Sequence, residues 1–223
     1  LSLSSRDHII PETQMMGEIL GKEDAANKLI GWTEKYNKIV DERTRDLSEN
    51  DKPTFFFEYM SDLQRKWWAI GPNNPSAGRA AEGCGGRNIA SDLPLNDTTT
   101  TLEVGAEWVL TKNPDYIFMD FMGGDMSGVG KTKDEVKNNL TRLIDERASE
   151  GIRNFNAVKN NHVYVLNRDF ISGPRWVIGH VCIAKWLHPD LFKDLSPDEM
   201  NREYLKEFQG MELEGTWTYP APE

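Results

Sequence analysis

The spacing of apolar residues predicts one long helix near the start of the chain, over residues 22–47. Apolar side chains recur there with a period close to 3.6 residues. Glu23 and Asp24 stand in its first turn and Arg43 near its last, an order of charges that favours a helix dipole. At 1.5 Å per residue the helix would be roughly 35–40 Å long. A shorter helix is predicted before it, over residues 12–20, and Gly21 separates the two.

After the long helix, apolar runs of strand length alternate with segments of helical period. Several runs lack the apolar–polar alternation of a half-exposed strand, which indicates burial on both faces, as in a parallel sheet. We therefore expect an α/β fold, a three-layer αβα lobe with a mostly parallel sheet, preceded by the long connecting helix. The predicted strands are 54–60, 67–71, 115–121 and 163–167, and the predicted helices are 76–82, 102–111, 134–148, 176–187 and a last one that Ser196 caps and that ends near Gly210.

Composition narrows the function classes. Hydrophobic residues make up 38% and charged residues 28% of the 223, an ordinary globular balance. The formal net charge of -10 makes a nucleic-acid-binding surface unexpected, because phosphate binding uses clustered Lys and Arg. No run approaches the roughly 20 apolar residues of a membrane-spanning helix, and the first ten residues lack a signal-peptide pattern. Cys84 and Cys182 permit one disulfide, but two buried free thiols are the expectation.

The loop over residues 125–132 has part of a phosphate-binding pattern. It follows a predicted strand and precedes a helix, and it contains Gly130, Lys131 and Thr132. Asp125 stands where that pattern requires glycine, and its charge would face phosphate oxygens. A nucleotide-binding enzyme that uses Lys131 is therefore the second hypothesis. The four histidines lack the spacing of a zinc site, so no metal site and no catalytic residue are predicted.

Aromatic and arginine side chains gather at the predicted carboxyl ends of strands, where open α/β sheets bind ligands. Aromatic rings give apolar contact, and arginine pairs with carboxylates or phosphates. Core packing is the competing interpretation for each aromatic residue, and a surface role for each arginine. The candidate ligand-binding residues are Glu58, Tyr59, Trp67, Trp68, Phe121, Met122, Arg168, Arg175 and Trp176.

Three segments resemble the substrate-binding proteins of ABC importers for ferric siderophores, haem and cobalamin. The first holds Gly85, Gly86, Asn88 and Ile89, followed by Glu103 and by the Asn-Pro-Asp of residues 113–115. The second is the Ala-Val-Lys and strand of residues 157–167, and the third is the closing helix that ends with Pro189 and Phe192. The resemblance covers roughly residues 21–210.

The resemblance implies two α/β lobes that are joined by one long helix and grip the ligand between them. Only some 20 residues precede the helix, so we expect a remnant over 1–21, the interlobe helix over 22–48, the C-terminal ligand-binding lobe over 49–210 and a loose tail over 211–223. The implied function is not enzymatic: an extracytoplasmic protein, with a possible lipid anchor, captures a metal chelate and needs no covalently bound cofactor.

The resemblance also implies a membrane partner. An acidic side chain on each lobe of the family docks on arginines of the ABC permease. The candidates in this chain are Asp125, Asp134 and Glu135. Asp134 and Glu135 have a second interpretation, since acidic residues in a first helical turn stabilise the helix.

Overall fold

A mixed sheet forms the centre of the molecule. The computed structural model describes residues 5–60, 66–121, 126–212 and 214–220, without the side chain of residue 6. The strands of the main sheet run in the order β4-β2-β1-β5-β7-β9, with β3 paired to β1. Strands β1, β5 and β7 are parallel, β3 joins β1 in parallel, and β2, β4 and β9 pair antiparallel at the two sides. The strands are β1 (Thr54–Met60), β2 (Trp67–Ile70), β3 (Arg87–Asn88), β4 (Thr101–Val104), β5 (Tyr116–Phe121), β6 (Gly128–Val129), β7 (Val163–Asn167), β8 (Gly215–Thr216) and β9 (Thr218–Tyr219).

Helices cover both faces of this sheet and enclose two cores. One face packs against α1, α2, α3, α7 and α8, and the other against α4, α5 and α6. The predicted three-layer αβα architecture is confirmed. Among the described residues, no helix is both long and apolar enough to cross a membrane. The helices are α1 (Arg6–Leu20), α2 (Glu23–Thr44), α3 (Gly78–Gly83), α4 (Ala106–Lys112), α5 (Lys133–Glu146), α6 (Asn156–Lys159), α7 (Trp176–Leu187) and α8 (Pro197–Gln209).

The predicted long helix is α2, and its apolar stripe packs on the sheet domain. Trp32, Tyr36 and Val40 are buried in the core beside α7 and α8, with the Trp32 ring 5.8 Å from the ring of Tyr204. The end near Lys22 is exposed. The preceding helix α1 begins six residues before its predicted start and contains Pro11.

Residues 102–111 do not form the single helix that their apolar spacing predicts. Residues 101–104 are the edge strand β4, which pairs antiparallel with β2, and the helix α4 starts only at Ala106. Gly105 lies between them in an extended conformation and serves as the N-cap of α4. Pairing with β2 is a long-range interaction, so the local period misled the prediction.

For the described residues 214–220, the expectation of a loose tail is wrong. Strand β9 pairs with β7, and β8 pairs with β6. Between the two, Trp217 is buried, and its carbonyl oxygen accepts a hydrogen bond from the Asn167 backbone at 2.9 Å. The tail therefore completes one side of the sheet.

The glycine–asparagine motif that supports the resemblance has a structural role. A Cβ on Gly86 would lie 2.6 Å from the ring of Phe55, so only glycine allows this packing. The Asn88 side chain donates to the Ile70 carbonyl at 2.8 Å and thereby ties β3 to β2. Cys84 and Cys182 are both buried and are not joined in a disulfide, as expected.

Candidate functional site

Four polar or aromatic side chains form a row across one face of the sheet, near the carboxyl ends of β1 and β5. The strand register places Trp68 opposite Glu103 and beside Tyr59, and places Tyr59 beside Asp120. Glu103 is exposed, Trp68 and Tyr59 are half-buried, and Asp120 is buried. We call these four residues the carboxyl-end row.

Arg168 extends over the carboxyl-end row from the residue that follows β7. Its Nε lies 2.8 Å from Oδ1 of Asp120 and its Nη2 lies 2.5 Å from Oδ2, so the pair is bidentate. The guanidinium carbon is 4.8 Å from the ring centre of Tyr59, a cation–π distance. Some 30% of the Arg168 side chain stays exposed, which leaves this cation accessible.

Burial raises the pKa of Asp120 to about 7, although the neighbouring charge and hydrogen bond of Arg168 act in the opposite direction. The carboxyl group is 1% exposed, so its charged form loses hydration that one guanidinium replaces only in part. Asp120 holds Arg168 in place, whereas Tyr59 and Trp68 present aromatic surface beside it. The row can therefore receive a ligand with apolar and anionic parts.

Four of the residues predicted to bind ligand lie in the interior instead. Their exposed fractions are between 0 and 5%, and they contact protein groups in the two cores. For Glu58, Trp67 and Phe121 the physical reason is strand alternation, because a residue next to the row in its strand points to the opposite face. Trp176 instead begins helix α7, where its side chain packs into the core. These four residues, Glu58, Trp67, Phe121 and Trp176, are left out of the candidate site. Met122 lies outside the described residues.

Arg175 contacts Trp217 of the tail and the segment after β7, not the carboxyl-end row. Its guanidinium lies over the rings of Phe170 and Trp217 at 5.4 and 5.3 Å, and it binds Asp169 at 2.5 Å. Burial lowers the pKa of Arg175, and the charge of Asp169 opposes that effect. Of the nine predicted residues, the structure brings together Tyr59, Trp68 and Arg168.

Asp120 was missed in the sequence, although a signal was present. It is the only acidic residue among six in the apolar strand β5. A charge in a buried strand requires a partner, which directs attention to a cation at the same end of the sheet.

Two backbone amides of the loop proposed for phosphate binding are occupied by hydrogen bonds within the protein. The Gly130 amide donates to the Glu214 carbonyl at 2.9 Å, and the Lys131 amide donates to the Gly128 carbonyl at 3.2 Å. Lys131 precedes the helix, and Thr132 is the N-cap of α5. These amides cannot at the same time cradle a phosphate, which argues against the nucleotide hypothesis.

The candidates for permease docking differ in their surroundings. Glu135 forms a capping box with Thr132, in which its Oε2 accepts from the Thr132 amide at 2.8 Å. These hydrogen bonds lower the pKa of Glu135. Asp134 is exposed in the first turn of α5. Asp125 lies outside the described residues.

A cavity of about 610 Å³ lies at the opposite, amino end of β1. Two of the cations that line it have carboxylate partners, Lys52 with Glu49 and Lys112 with Asp92. In the described parts of the chain, no group of three or more His, Cys, Asp or Glu residues is placed to hold a metal ion.

The periplasmic binding protein family model matches residues 2–169 of the chain. The match covers well over half of the sequence, so the chain belongs to the periplasmic binding protein family.

Individual relatives agree with this assignment. The chain is 24% identical over 193 residues to an uncharacterized ABC transporter substrate-binding lipoprotein, YvrC, of Bacillus subtilis (strain 168), covering 85% of this chain and 53% of the relative. The fold matches the TroA-like periplasmic binding protein FepB from Veillonella parvula with a TM-score of 0.81 and 25% identity, over 92% of this chain and 59% of that one.

A third match is a ligand-bound structure. The Haemophilus influenzae molybdate periplasmic binding protein MolA, bound to molybdate, is similar with a TM-score of 0.68 and 20% identity, over 94% of this chain and 58% of that one. This likeness shows the fold alone. The chain spans between one half and three fifths of the length of the relatives it matches.

Proposed function

We propose that this chain forms the ligand-binding lobe of the substrate-binding component of an ABC importer. The observation that carries the proposal is the carboxyl-end row with Arg168 above it. Tyr59 and Trp68 offer half-buried aromatic surface, and Arg168 adds an accessible cation held by Asp120. Family membership supports the class, because the relative from Bacillus subtilis is described as an ABC transporter substrate-binding lipoprotein.

The proposed ligand is a chelated metal: a ferric siderophore, haem or cobalamin. Such ligands combine apolar rings or chains with carboxylate or amide groups. Aromatic surface suits the first part, and a guanidinium suits the second. An oxyanion such as the molybdate of MolA is the competing ligand, since it needs the cation but gains little from the aromatic rings.

The proposed location is extracytoplasmic, with delivery of the ligand to a membrane permease. The lipoprotein description of the relative supports this location. Asp134 is the preferred docking residue of the three candidates, because it is exposed whereas Glu135 already caps α5.

Isothermal titration calorimetry would test the ligand class. The chain is titrated with ferrioxamine B, haemin, cyanocobalamin and molybdate, and with Mg-ATP for the nucleotide hypothesis. We expect one chelate to bind, and Trp68→Ala to weaken that binding about tenfold by loss of aromatic contact.

Trp108→Ala is the matched control, because Trp108 is half-buried on α4, outside the carboxyl-end row. It should leave the affinity unchanged. Absence of binding by all three chelates would contradict the proposal. Binding of molybdate alone would change the proposed ligand class to an oxyanion. Mg-ATP binding that Lys131→Ala abolishes would favour the nucleotide hypothesis.

A further inference from the structure

A fully buried ion pair lies beneath the carboxyl-end row, on the other face of the sheet. Glu58 of β1 and Arg147, which follows α5, are 0 and 1% exposed. Their carboxylate and guanidinium groups make two contacts, from Nη1 to Oε2 and from Nη2 to Oε1, both of 2.8 Å.

Arg147 also joins the two neighbouring antiparallel strands β1 and β2. Its guanidinium carbon lies 4.2 Å from the ring centre of Trp67 in β2, and its Nη2 lies 3.5 Å from the sulfur of Met60 in β1. The Trp67 indole donates in turn to Oε2 of Glu150 at 2.5 Å. One cation thus fixes the ends of both strands against the segment that follows α5.

Stability alone explains this arrangement poorly. Removing two charges from water is costly, and apolar residues of similar volume often replace a buried ion pair without loss of stability. Burial raises the pKa of Glu58, which the charge of Arg147 opposes. In some proteins, buried polar or ionic groups of this kind are retained for the conformational specificity that they impose.

The buried contacts of Glu58 and Trp67 affect the positions of the residues that follow them in the sequence. Glu58 precedes Tyr59, and Trp67 precedes Trp68, so two residues that Arg147 contacts are each bonded to a residue of the carboxyl-end row. In a strand, consecutive side chains point to opposite faces. A backbone held by Glu58 and Trp67 on one face therefore sets where Tyr59 and Trp68 stand on the other.

We propose that Glu58 and Arg147 are positioning residues, which hold β1 and β2 so that Tyr59 and Trp68 face the ligand together. This inference rests on the proposed function for its ligand. Its structural part, the fixing of the two strand ends, can be tested without one.

The test is the double variant Glu58→Leu/Arg147→Met, which replaces the pair by apolar side chains. We expect a thermal midpoint within about 3 °C of the wild type, because the desolvation cost is also removed. Affinity for the chelate that binds the wild type should fall about tenfold. Amide hydrogen exchange at Tyr59 and Trp68 should become about tenfold faster, while Leu205 in α8 stays unchanged.

Asp145→Leu/Arg153→Met is the matched control. It removes an ion pair of 2.6 Å in the same part of the chain, whose side chains are more than half exposed. Exchange at Tyr59 and Trp68 should not respond to it. If the first double variant fails to fold, Glu58→Gln keeps the shape of the side chain and is measured in the same way.

Hydrogen exchange can be measured whether or not a chelate binds. Unchanged exchange at Tyr59 and Trp68, or unchanged chelate affinity in a stable double variant, would overturn it. If the wild type binds no chelate, the proposed function fails, whereas faster exchange confined to these two strand ends would still support the positioning role.

Discussion

Asp120 is a buried carboxyl group whose environment makes its ionisation part of the stability of the fold. It is 1% exposed, and burial raises its pKa to about 7 against the charge of Arg168. In the unfolded chain an aspartate titrates near pH 4. The folded state therefore binds a proton between about pH 4 and 7 that the unfolded state has already released.

The variant Asp120→Asn cannot titrate at this position, so it removes the difference in proton binding between the folded and unfolded states. A folded-state pKa above the unfolded value contributes stability that is present below pH 4 and is lost as the pH rises through about 7. We expect the free energy of unfolding of the wild type to fall relative to that of Asp120→Asn across this window, by up to about 1.4 kcal/mol per pH unit. Urea unfolding at a series of pH values measures it, and parallel pH profiles of the two proteins would contradict it.

At the scale of elements, the segment after α8 is part of the sheet. Strand β9 pairs with β7, and the buried Trp217 stacks on Phe170 at 6.2 Å and lies under the guanidinium of Arg175. The tail thereby covers the side of β7 near its carboxyl end, and Arg168 is the residue that follows β7. Its loss would affect both the sheet edge and the site.

Trp217→Ala should destabilise the fold by about 3–5 kcal/mol, as expected for a buried tryptophan. Met211→Ala is the control in the same segment, because Met211 is 43% exposed. Chemical denaturation followed by far-ultraviolet circular dichroism compares the two variants. Equal stabilities would indicate that the tail is not integrated into the sheet in solution.

The elements that could be predicted from the sequence are those whose signals are local. Strands β1 and β7 and helix α7 have their predicted bounds, because long apolar runs and a strong period identify them. Strand β4 could not be recognised, since only its pairing with β2 makes it a strand. The short strands β8 and β9 depend in the same way on partners far along the chain.

The candidate site was predictable only to the level of its location. The carboxyl ends of parallel strands were the expected place, and Tyr59, Trp68 and Arg168 do meet there. Which side chains face the row depends on strand register, and register is set by pairing. The bidentate contact of Arg168 with Asp120 joins residues 48 positions apart, a distance over which periodicity carries no information.

For the whole molecule, the open question is whether α2 is a spacer or a part of the folded unit. Val40 is fully buried and Trp32 and Tyr36 nearly so, in the core that α7 and the sheet share. A helix that buries this much apolar surface should unfold together with the sheet. The division of the chain into an interlobe helix and a lobe remains a prediction.

Trp32→Ala distinguishes the two roles of α2. If α2 belongs to one cooperative unit, the variant should lose about 3–5 kcal/mol, and the whole molecule should still unfold in a single transition at a lower midpoint. Far-ultraviolet circular dichroism reports helix content and the remaining tryptophans report the core, so the two thermal curves should coincide. Glu34→Ala, on the exposed side of α2, should change neither curve. A spacer helix would instead melt first in circular dichroism and leave the fluorescence transition of the wild type in place, which would separate α2 from the lobe thermodynamically.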